Sequence, residues 1–152
     1  SDGANVALEF AARFPDRARA VVAVSGNARP EGLILPLRLF ARGEYAAARM
    51  LERLPLLGIG LRRFFGGRRQ LAALLCRSPQ LGEEELGRIR APVLLLAGTR
   101  DLVRTVHTRW MAAAIPNSRL ELRPGGTHGA FFQQKEDYLA RSLDFFRENN
   151  IK

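Results

Sequence analysis

The sequence predicts an α/β fold in which a parallel sheet is flanked by helices and carries an inserted helical cap. Three observations indicate this class. The chain of 152 residues is 47% hydrophobic, which is enough apolar material for one buried core. Short segments rich in Val and Leu alternate with helical patterns, as in the βαβ units of a parallel sheet. One long interval, residues 30–91, interrupts the alternation with helical patterns alone.

The first predicted helix spans residues 3–14. Val6, Phe10 and Phe14 recur at helical spacing, so we expect them to form its buried stripe. Pro15 ends the pattern, because proline lacks the N–H that a continuing helix would use.

Three short segments predict the strands of the sheet. Residues 20–24 and 92–97 are unbroken apolar runs, which is typical of strands covered on both faces. Residues 119–123 alternate Leu120 and Leu122 with charged neighbours, which indicates a strand nearer the sheet edge.

Two further helices complete the predicted core. Residues 105–114 form a helix between the second and third strands, and residues 135–149 form one after the third. In the latter, Leu139, Leu143 and Phe146 recur at helical spacing and predict the buried stripe.

The chain therefore divides into a partial α/β core, residues 1–29 and 92–152, and an inserted helical cap, residues 30–91. Helical patterns in the cap cover residues 44–54 and 70–75. Its pattern breaks at Pro55, Gly58, Gly60 and Pro79. We expect the cap to lie over the ends of the strands, which is the usual place for a lid.

The chain is strongly basic, with 24 Lys and Arg against 15 Asp and Glu and a net charge of +9. Its densest cluster places Arg62, Arg63, Arg68 and Arg69 around two phenylalanines. Arginine beside aromatic residues can hold single-stranded nucleic acid. No further repeat of this kind and no nucleic-acid motif follows, however. We expect a helix end, a Gly-Gly turn and a helix start here, and nucleic acid is not the expected partner.

Several classes of protein are excluded by composition. Cys76 has no second cysteine to pair with, which excludes a disulfide scaffold. No stretch of about 18 residues runs without a charge, which excludes a membrane span. No metal-ligand cluster and no glycine-rich dinucleotide fingerprint is present, so no cofactor is implied. No signal segment is visible in a chain that opens at Ser1, and we expect a cytoplasmic protein.

Three polar segments lie at the ends of predicted elements: one at the start of the first helix, and two directly after strands. Ser1 heads the first helix, Asp101 follows the second strand, and His128 follows the third. In open α/β sheets, sites gather outside the carboxyl ends of the strands. A serine hydroxyl needs a base to take its proton, His128 can act as that base, and Asp101 can orient the imidazole.

On these residues the chain resembles the serine hydrolases of the α/β-hydrolase family, whose triad follows the order Ser, Asp, His. Residues 1–3, Ser-Asp-Gly, look like the end of the G-x-S-x-G nucleophile elbow. Residues 14–18, Phe-Pro-Asp-Arg-Ala, are similar to a stretch that precedes a family strand. Residues 92–101 look like the strand that delivers the acid, and residues 126–129 look like the histidine loop. The resemblance covers essentially the whole chain, but only the C-terminal half of a family member.

The resemblance implies hydrolysis of an ester-like or related acyl bond of a small-molecule substrate through an acyl-Ser1 intermediate. The family's elbow glycine, the strand before it and the loop with the other oxyanion donor are absent from the sequence. Only the backbone N–H of Asp2 remains for the oxyanion hole. Loss of one such donor lowers the rate by about 10²–10³. We therefore expect a truncated site that is weak or inactive as given.

Several alternatives remain open. His107 lies in a helix pattern and is the weaker candidate base, and Asp101 has an alternative role as a helix cap. Asn27 stands where some relatives carry the acid, and an amide there favours Asp101. The second hypothesis for function is a non-catalytic truncated domain or a basic nucleic-acid-binding or interaction module. Four residues predict an apolar substrate pocket in the cap: Phe40, Leu57, Phe64 and Phe65.

Overall fold

A computed structural model describes residues 1–55 and 58–151. Its sheet consists of β1 (Val21–Val24), β2 (Val93–Arg100) and β3 (Ser118–Thr127), all parallel, with β2 in the centre. The helices that accompany these strands are α1 (Asp2–Arg13), α2 (Leu35–Glu52), α3 (Ile59–Arg77), α4 (Glu83–Gly87), α5 (Thr105–Ala114), α6 (Ala130–Gln133) and α7 (Lys135–Glu148). The predicted α/β class with a parallel sheet is confirmed.

Both faces of the central strand are buried along its apolar part, residues 93–97. Val93 and Leu95 point to one face, and Leu94 and Leu96 point to the other. On the first face they meet α1, α4 and α5, and on the second they meet α6 and α7. β2 and β3 run three or more residues beyond their predicted ends, because the Gly- and Thr-rich segments that follow the apolar runs still pair with each other.

Helix α1 packs on the sheet through small side chains rather than through the predicted stripe. Its buried residues are Ala4, Asn5, Leu8, Ala11 and Ala12. Val6, Phe10 and Phe14 are exposed, Val6 to 66%, so the predicted stripe is wrong. The small residues allow a close approach to the turn after β1, where a Cβ placed on Gly26 would lie 2.9 Å from the Cβ of Ala4.

Helix α7 also buries a different face from the one predicted. The core cluster on its side of the sheet consists of Leu94, Leu96, Ala130, Tyr138 and Phe145. Leu139 and Leu143 are exposed, and only Phe146 of the predicted stripe packs against this cluster. The rotation of the helix also brings Arg141 within 2.5 Å of Glu121 on β3. Large aromatic side chains and an ion pair therefore set the helix phase.

Helices α2 and α3 pair with each other over most of their length. The break between them contains Pro55 and Gly58, as predicted, whereas the predicted break at Gly60 is wrong because α3 begins at Ile59. The predicted turn at Gly66 and Gly67 is wrong, because α3 continues through both glycines. Packing against α2 outweighs the low helix propensity of two glycines. An ion pair between Arg69 on α3 and the last residue of α2 contributes to this packing.

The interval between β1 and β2 is anchored to the core at both ends. Leu33 forms an antiparallel bridge with Val103, just after the end of β2. At the other end, Leu81, Leu86, Ile89 and Ala91 join the core cluster beneath α1. Among the described residues, those of α2 and α3 do not belong to that cluster, and the division into core and cap stays a proposal.

None of the helices in the described part of the chain is both long enough and apolar enough to cross a membrane.

Candidate active site

The carboxyl ends of the three strands bring several polar side chains to one edge of the sheet. Ser25 follows β1, Asp101 follows β2 and His128 follows β3. Because the strands are parallel, these three residues leave the sheet at the same edge. The strand register also aligns their carboxyl ends, because Val24 pairs with Leu96 and Arg100 pairs with Thr127.

Asp101 and His128 form a direct hydrogen bond. The Nδ1 of His128 lies 2.6 Å from Oδ1 of Asp101, which also accepts a hydrogen bond of 3.1 Å from the N–H of Val103. With an ionised carboxylate as acceptor, Nδ1 carries the proton and Nε2 of the neutral ring carries a lone pair. The Asp101 side chain is 0% exposed and the His128 side chain is 31% exposed. The pair therefore has a buried acceptor and an imidazole that solvent can reach.

The environment keeps the Asp101 carboxyl ionised. Burial by itself raises its pKa, because a charged group loses hydration. Hydrogen bonds from His128, from Ser25 and from the N–H of Val103 outweigh burial and set the pKa at about 2. Asp101 is consequently negative throughout the neutral range.

The loop that carries His128 reaches Asp101 through a close backbone approach. A Cβ placed on Gly98 would lie 2.0 Å from the carbonyl oxygen of Gly126, so only glycine fits at this crossing. The pairing of β2 with β3 shifts at this point. Gly125 takes a φ of 69° and its N–H donates a 2.8 Å hydrogen bond to Oγ1 of Thr99. The glycines therefore let β3 bend toward the end of β2.

Ser1 lies at the same edge of the sheet. Its backbone nitrogen donates a hydrogen bond to the carbonyl of Val24, the last residue of β1. Among the described hydrogen bonds, none joins the hydroxyl of Ser1 to His128. The structure thus brings Ser1 to the edge without joining its side chain to the imidazole.

No protein-family model and no curated protein matches the chain. Solved structures match it over nearly its whole length. An α/β-hydrolase enzyme from a Medee basin deep-sea metagenome library aligns with a TM-score of 0.73 and 20% identity, over 96% of this chain and 62% of its own. The enol-lactonase of Burkholderia xenovorans aligns with a TM-score of 0.67 and 24% identity, over 97% and 63%. E-2-(acetamidomethylene)succinate hydrolase aligns with a TM-score of 0.68 and 19% identity, over 97% of this chain and 64% of its own.

The chain has the α/β-hydrolase fold. It spans less than two thirds of the length of these solved structures. The part that it shares with them comprises the sheet β1-β2-β3, its helices and the interval between β1 and β2.

Within this α/β-hydrolase fold, α1 presents its N-terminus to the candidate site. The carbonyl of Ser1 accepts hydrogen bonds of 2.8 Å from the N–H of Ala4 and 3.2 Å from the N–H of Asn5. The N–H of Asp2 therefore precedes the first bonds of the helix and belongs to the orphan donors of the first turn. Such donors, together with the helix dipole, favour an anion at this position.

The turn after β1 contributes polar contacts that sequence reasoning missed. The hydroxyl of Ser25 donates a 2.5 Å hydrogen bond to Oδ2 of Asp101. Asn27 donates its N–H to Oδ1 of Asn5 at 2.8 Å, and Nδ2 of Asn5 donates back to Oδ1 of Asn27 at 3.1 Å. The turn at residues 25–27 therefore links α1 to the Asp101–His128 pair. The available signal was the run of small polar residues directly after a buried strand.

His107, the alternative base, lies in the interior of the α/β-hydrolase fold. Its Nε2 accepts a 3.1 Å hydrogen bond from the N–H of Ala28, and its ring stacks on Trp110. Burial, followed by the charges of Arg104 and Arg29, lowers the pKa of His107 to about 4. The imidazole is neutral at physiological pH, and its acceptor nitrogen is already engaged by the backbone.

The basic cluster and the predicted apolar pocket lie on α2 and α3. Arg68 pairs with Glu44, and Arg69 lies 2.6 Å from Glu52. Both carboxylates belong to α2, and Nη2 of Arg62 donates to the carbonyl of Leu54 at 3.2 Å, so at least three of the four arginines have partners. Of the residues predicted to form the pocket, Phe40 and Phe64 are exposed, Phe65 is half-buried and Leu57 lies outside the described residues.

Proposed function

We propose that the protein is a serine hydrolase that cleaves an ester-like or related acyl bond of a small molecule through an acyl-Ser1 intermediate. The hydrogen bond between Asp101 and His128, at the sheet edge where Ser1 also lies, is the observation that carries this proposal. The α/β-hydrolase fold adds support, as does its resemblance to an enol-lactonase and to E-2-(acetamidomethylene)succinate hydrolase.

The proposed reaction begins at the Ser1 hydroxyl. Nε2 of His128 takes the hydroxyl proton while Oγ attacks the substrate carbonyl carbon, and the carbonyl π electrons move to oxygen. The tetrahedral intermediate collapses by breaking the bond to the leaving group, which receives the proton from His128. Water then attacks acyl-Ser1 with His128 again as base, and a second collapse releases the carboxylic acid and restores the hydroxyl. Asp101 holds the ring tautomer and stabilises the imidazolium.

The transient oxyanion needs hydrogen-bond donors. The N–H of Asp2 at the start of α1 is the donor that we propose for it. Oxyanion holes normally supply two donors, and the absence of one lowers the rate by about 10²–10³. We therefore propose that this stretch of sequence, taken alone, is a slow hydrolase whose first half-reaction is easier to detect than turnover.

A fluorophosphonate probe tests the proposal because it phosphonylates an activated serine without requiring turnover. We expect the intact mass to increase by one probe adduct, with the adduct located on Ser1. Ser1→Ala should abolish this labelling. His128→Ala and Asp101→Asn should slow it by about 10³-fold or more. Hydrolysis of a p-nitrophenyl ester provides the steady-state rate for the same variants.

Ser118→Ala is a matched control for the loss of a serine hydroxyl. The hydroxyl of Ser118 donates to the carbonyl of Ala112 at 2.6 Å, on the opposite end of the sheet from His128. This variant should be labelled at the parental rate. Labelling that survives in Ser1→Ala, or that is unaffected by His128→Ala, would overturn the proposed function.

A further inference from the structure

The hydroxyl of Ser25 is a buried polar group of the candidate site that contacts Asp101 directly. Ser25 is 4% exposed, and its Oγ donates to Oδ2 of Asp101 at 2.5 Å. Oδ1 of the same carboxylate is engaged by His128 and by the N–H of Val103. Ser25 therefore supplies the described hydrogen bond to the oxygen that faces away from the imidazole.

The backbone at Ser25 takes a conformation that needs a reason. Its φ is 51°, in the left-handed region that residues other than glycine seldom adopt. The N–H of Ser25 still donates to the carbonyl of Leu96 at 2.8 Å, as the last bond of the β1–β2 ladder. The chain thus leaves the ladder by a left-handed turn at a residue whose side chain meets Asp101. Strained backbone of this kind gathers at functional sites.

The turn is fixed against α1. Asn27 and Asn5 exchange two hydrogen bonds, which tie the turn to the first part of α1. A Cβ placed on Gly26 would lie 2.9 Å from the Cβ of Ala4. One short turn consequently positions the helix that begins after Ser1 and contacts the carboxylate that orients His128.

We propose that Ser25 is a positioning residue that locks the Asp101 carboxylate, through Oδ2, in the orientation in which Oδ1 faces His128. This inference rests on the proposed serine hydrolase function. A carboxylate can rotate about its Cβ–Cγ bond, and a side chain that is 0% exposed has no water to replace a lost donor. Without the hydroxyl, Oδ2 is buried and unpaired, and the carboxylate either turns away from His128 or takes up a proton.

Ser25 is not a second nucleophile. Its hydroxyl is buried and donates to the Asp101 carboxylate, whose pKa of about 2 makes it a weak base, rather than to the imidazole, so it has neither an effective base nor a path for substrate. It acts on the reaction through Asp101 and His128.

Two substitutions separate the hydroxyl from the backbone conformation. Ser25→Ala removes the hydroxyl and keeps a Cβ in the left-handed region, whereas Ser25→Gly removes the hydroxyl and relieves the backbone strain. If the hydroxyl positions Asp101, both variants should lower kcat for the p-nitrophenyl ester by about 10- to 100-fold, with KM nearly unchanged. If only the turn matters, Ser25→Gly should retain the parental kcat and the proposal fails.

A second readout does not depend on catalysis. The pKa of the Asp101 carboxyl, followed by ¹³C NMR, should rise by about one unit or more in both Ser25 variants, because a hydrogen bond to the charged form is lost. Ser118→Ala, which loses a hydroxyl away from this carboxylate, should leave the pKa unchanged. An Asp101 titration that is identical in the parent and in both Ser25 variants overturns the proposal.

The two readouts separate this inference from the proposed function. If Ser1→Ala keeps full labelling while the Asp101 titration shifts in the Ser25 variants, the nucleophile assignment fails and the positioning role of Ser25 stands. If labelling requires Ser1 but neither kcat nor the Asp101 titration responds to Ser25, the positioning role fails and the hydrolase proposal stands.

Discussion

His107 is a buried imidazole whose protonation opposes folding. Its Nε2 accepts the N–H of Ala28, and a proton on that nitrogen would remove the acceptor. Burial is the main cause that lowers its pKa from 6.5 to about 4. The unfolded chain therefore binds more protons at this group between these two values. Stability from neutral His107 is complete above about pH 6.5 and is lost as the pH falls toward 4.

His107→Gln tests this pH dependence, since a glutamine oxygen can accept the N–H of Ala28 but does not titrate. We expect the variant to be less stable at pH 7.5, because it loses the stacking on Trp110. Between pH 7.5 and 4.5 its free energy of unfolding should fall by about 2–3 kcal/mol less than that of the parent. Urea unfolding at both pH values measures this difference. Parallel losses in the two proteins would contradict it.

Residues of the candidate site differ in how far the sequence predicted them. Asp101 and His128 each follow a predicted strand of a parallel sheet, and the topology alone places them at one edge. Ser25 follows a strand in the same way, but serine is common in turns, and its hydrogen bond depends on a left-handed backbone. That conformation is not encoded in a local pattern of residue types.

The predicted helix stripes failed at the level of the element, for a reason that α1 and α7 share. Both helices carry apolar residues on more than one face, so spacing alone does not fix their rotation. In α1 the face with Ala4 and Leu8 is buried because small side chains fit against the turn after β1. In α7 the face with Tyr138 and Phe145 is buried because these side chains fill the space over β2. Positions of the elements were predictable, whereas their orientation required the packing partners.

Helix α3 offers a direct test of how glycine affects its stability. A Cβ on Gly67 would meet nothing within 4 Å, so Gly67→Ala should stabilise the helix by about 0.5–1 kcal/mol. A Cβ on Gly66 would lie 3.3 Å from Oε1 of Glu52, the carboxylate that also binds Arg69. Gly66→Ala should therefore stabilise the helix less than Gly67→Ala does.

Thermal melting followed by circular dichroism, with amide hydrogen exchange resolved over α3, measures both variants. We expect slower exchange in α3 for Gly67→Ala than for Gly66→Ala. If Gly67→Ala is neutral or destabilising, α3 does not run as a continuous helix through this position in solution.

At the scale of the whole molecule, positive charge is concentrated in one part. Residues 35–77 contain nine arginines and two glutamates, and thus carry +7 of the net charge of +9. Both glutamates already pair with arginines across α2 and α3. The excess charge is therefore spread over two helices that pack against each other, where like charges repel.

This distribution predicts that salt stabilises the protein. Raising NaCl from about 20 to about 300 mM shortens the screening length and weakens the repulsion, so Tm should increase by a few degrees. Ion pairs at the surface contribute little to stability, so screening them with salt lowers Tm only slightly. Neutralising two exposed arginines, with Arg42→Gln and Arg63→Gln together, should raise Tm at low salt and reduce the response to NaCl. A Tm that falls with added salt in the parent would mean that attraction, rather than repulsion, dominates the α2–α3 surface.

Single-stranded DNA added at low salt tests the competing nucleic-acid hypothesis. If the protein binds the DNA through its arginines, the DNA should raise Tm, and this increase in Tm should shrink steeply as the salt concentration rises.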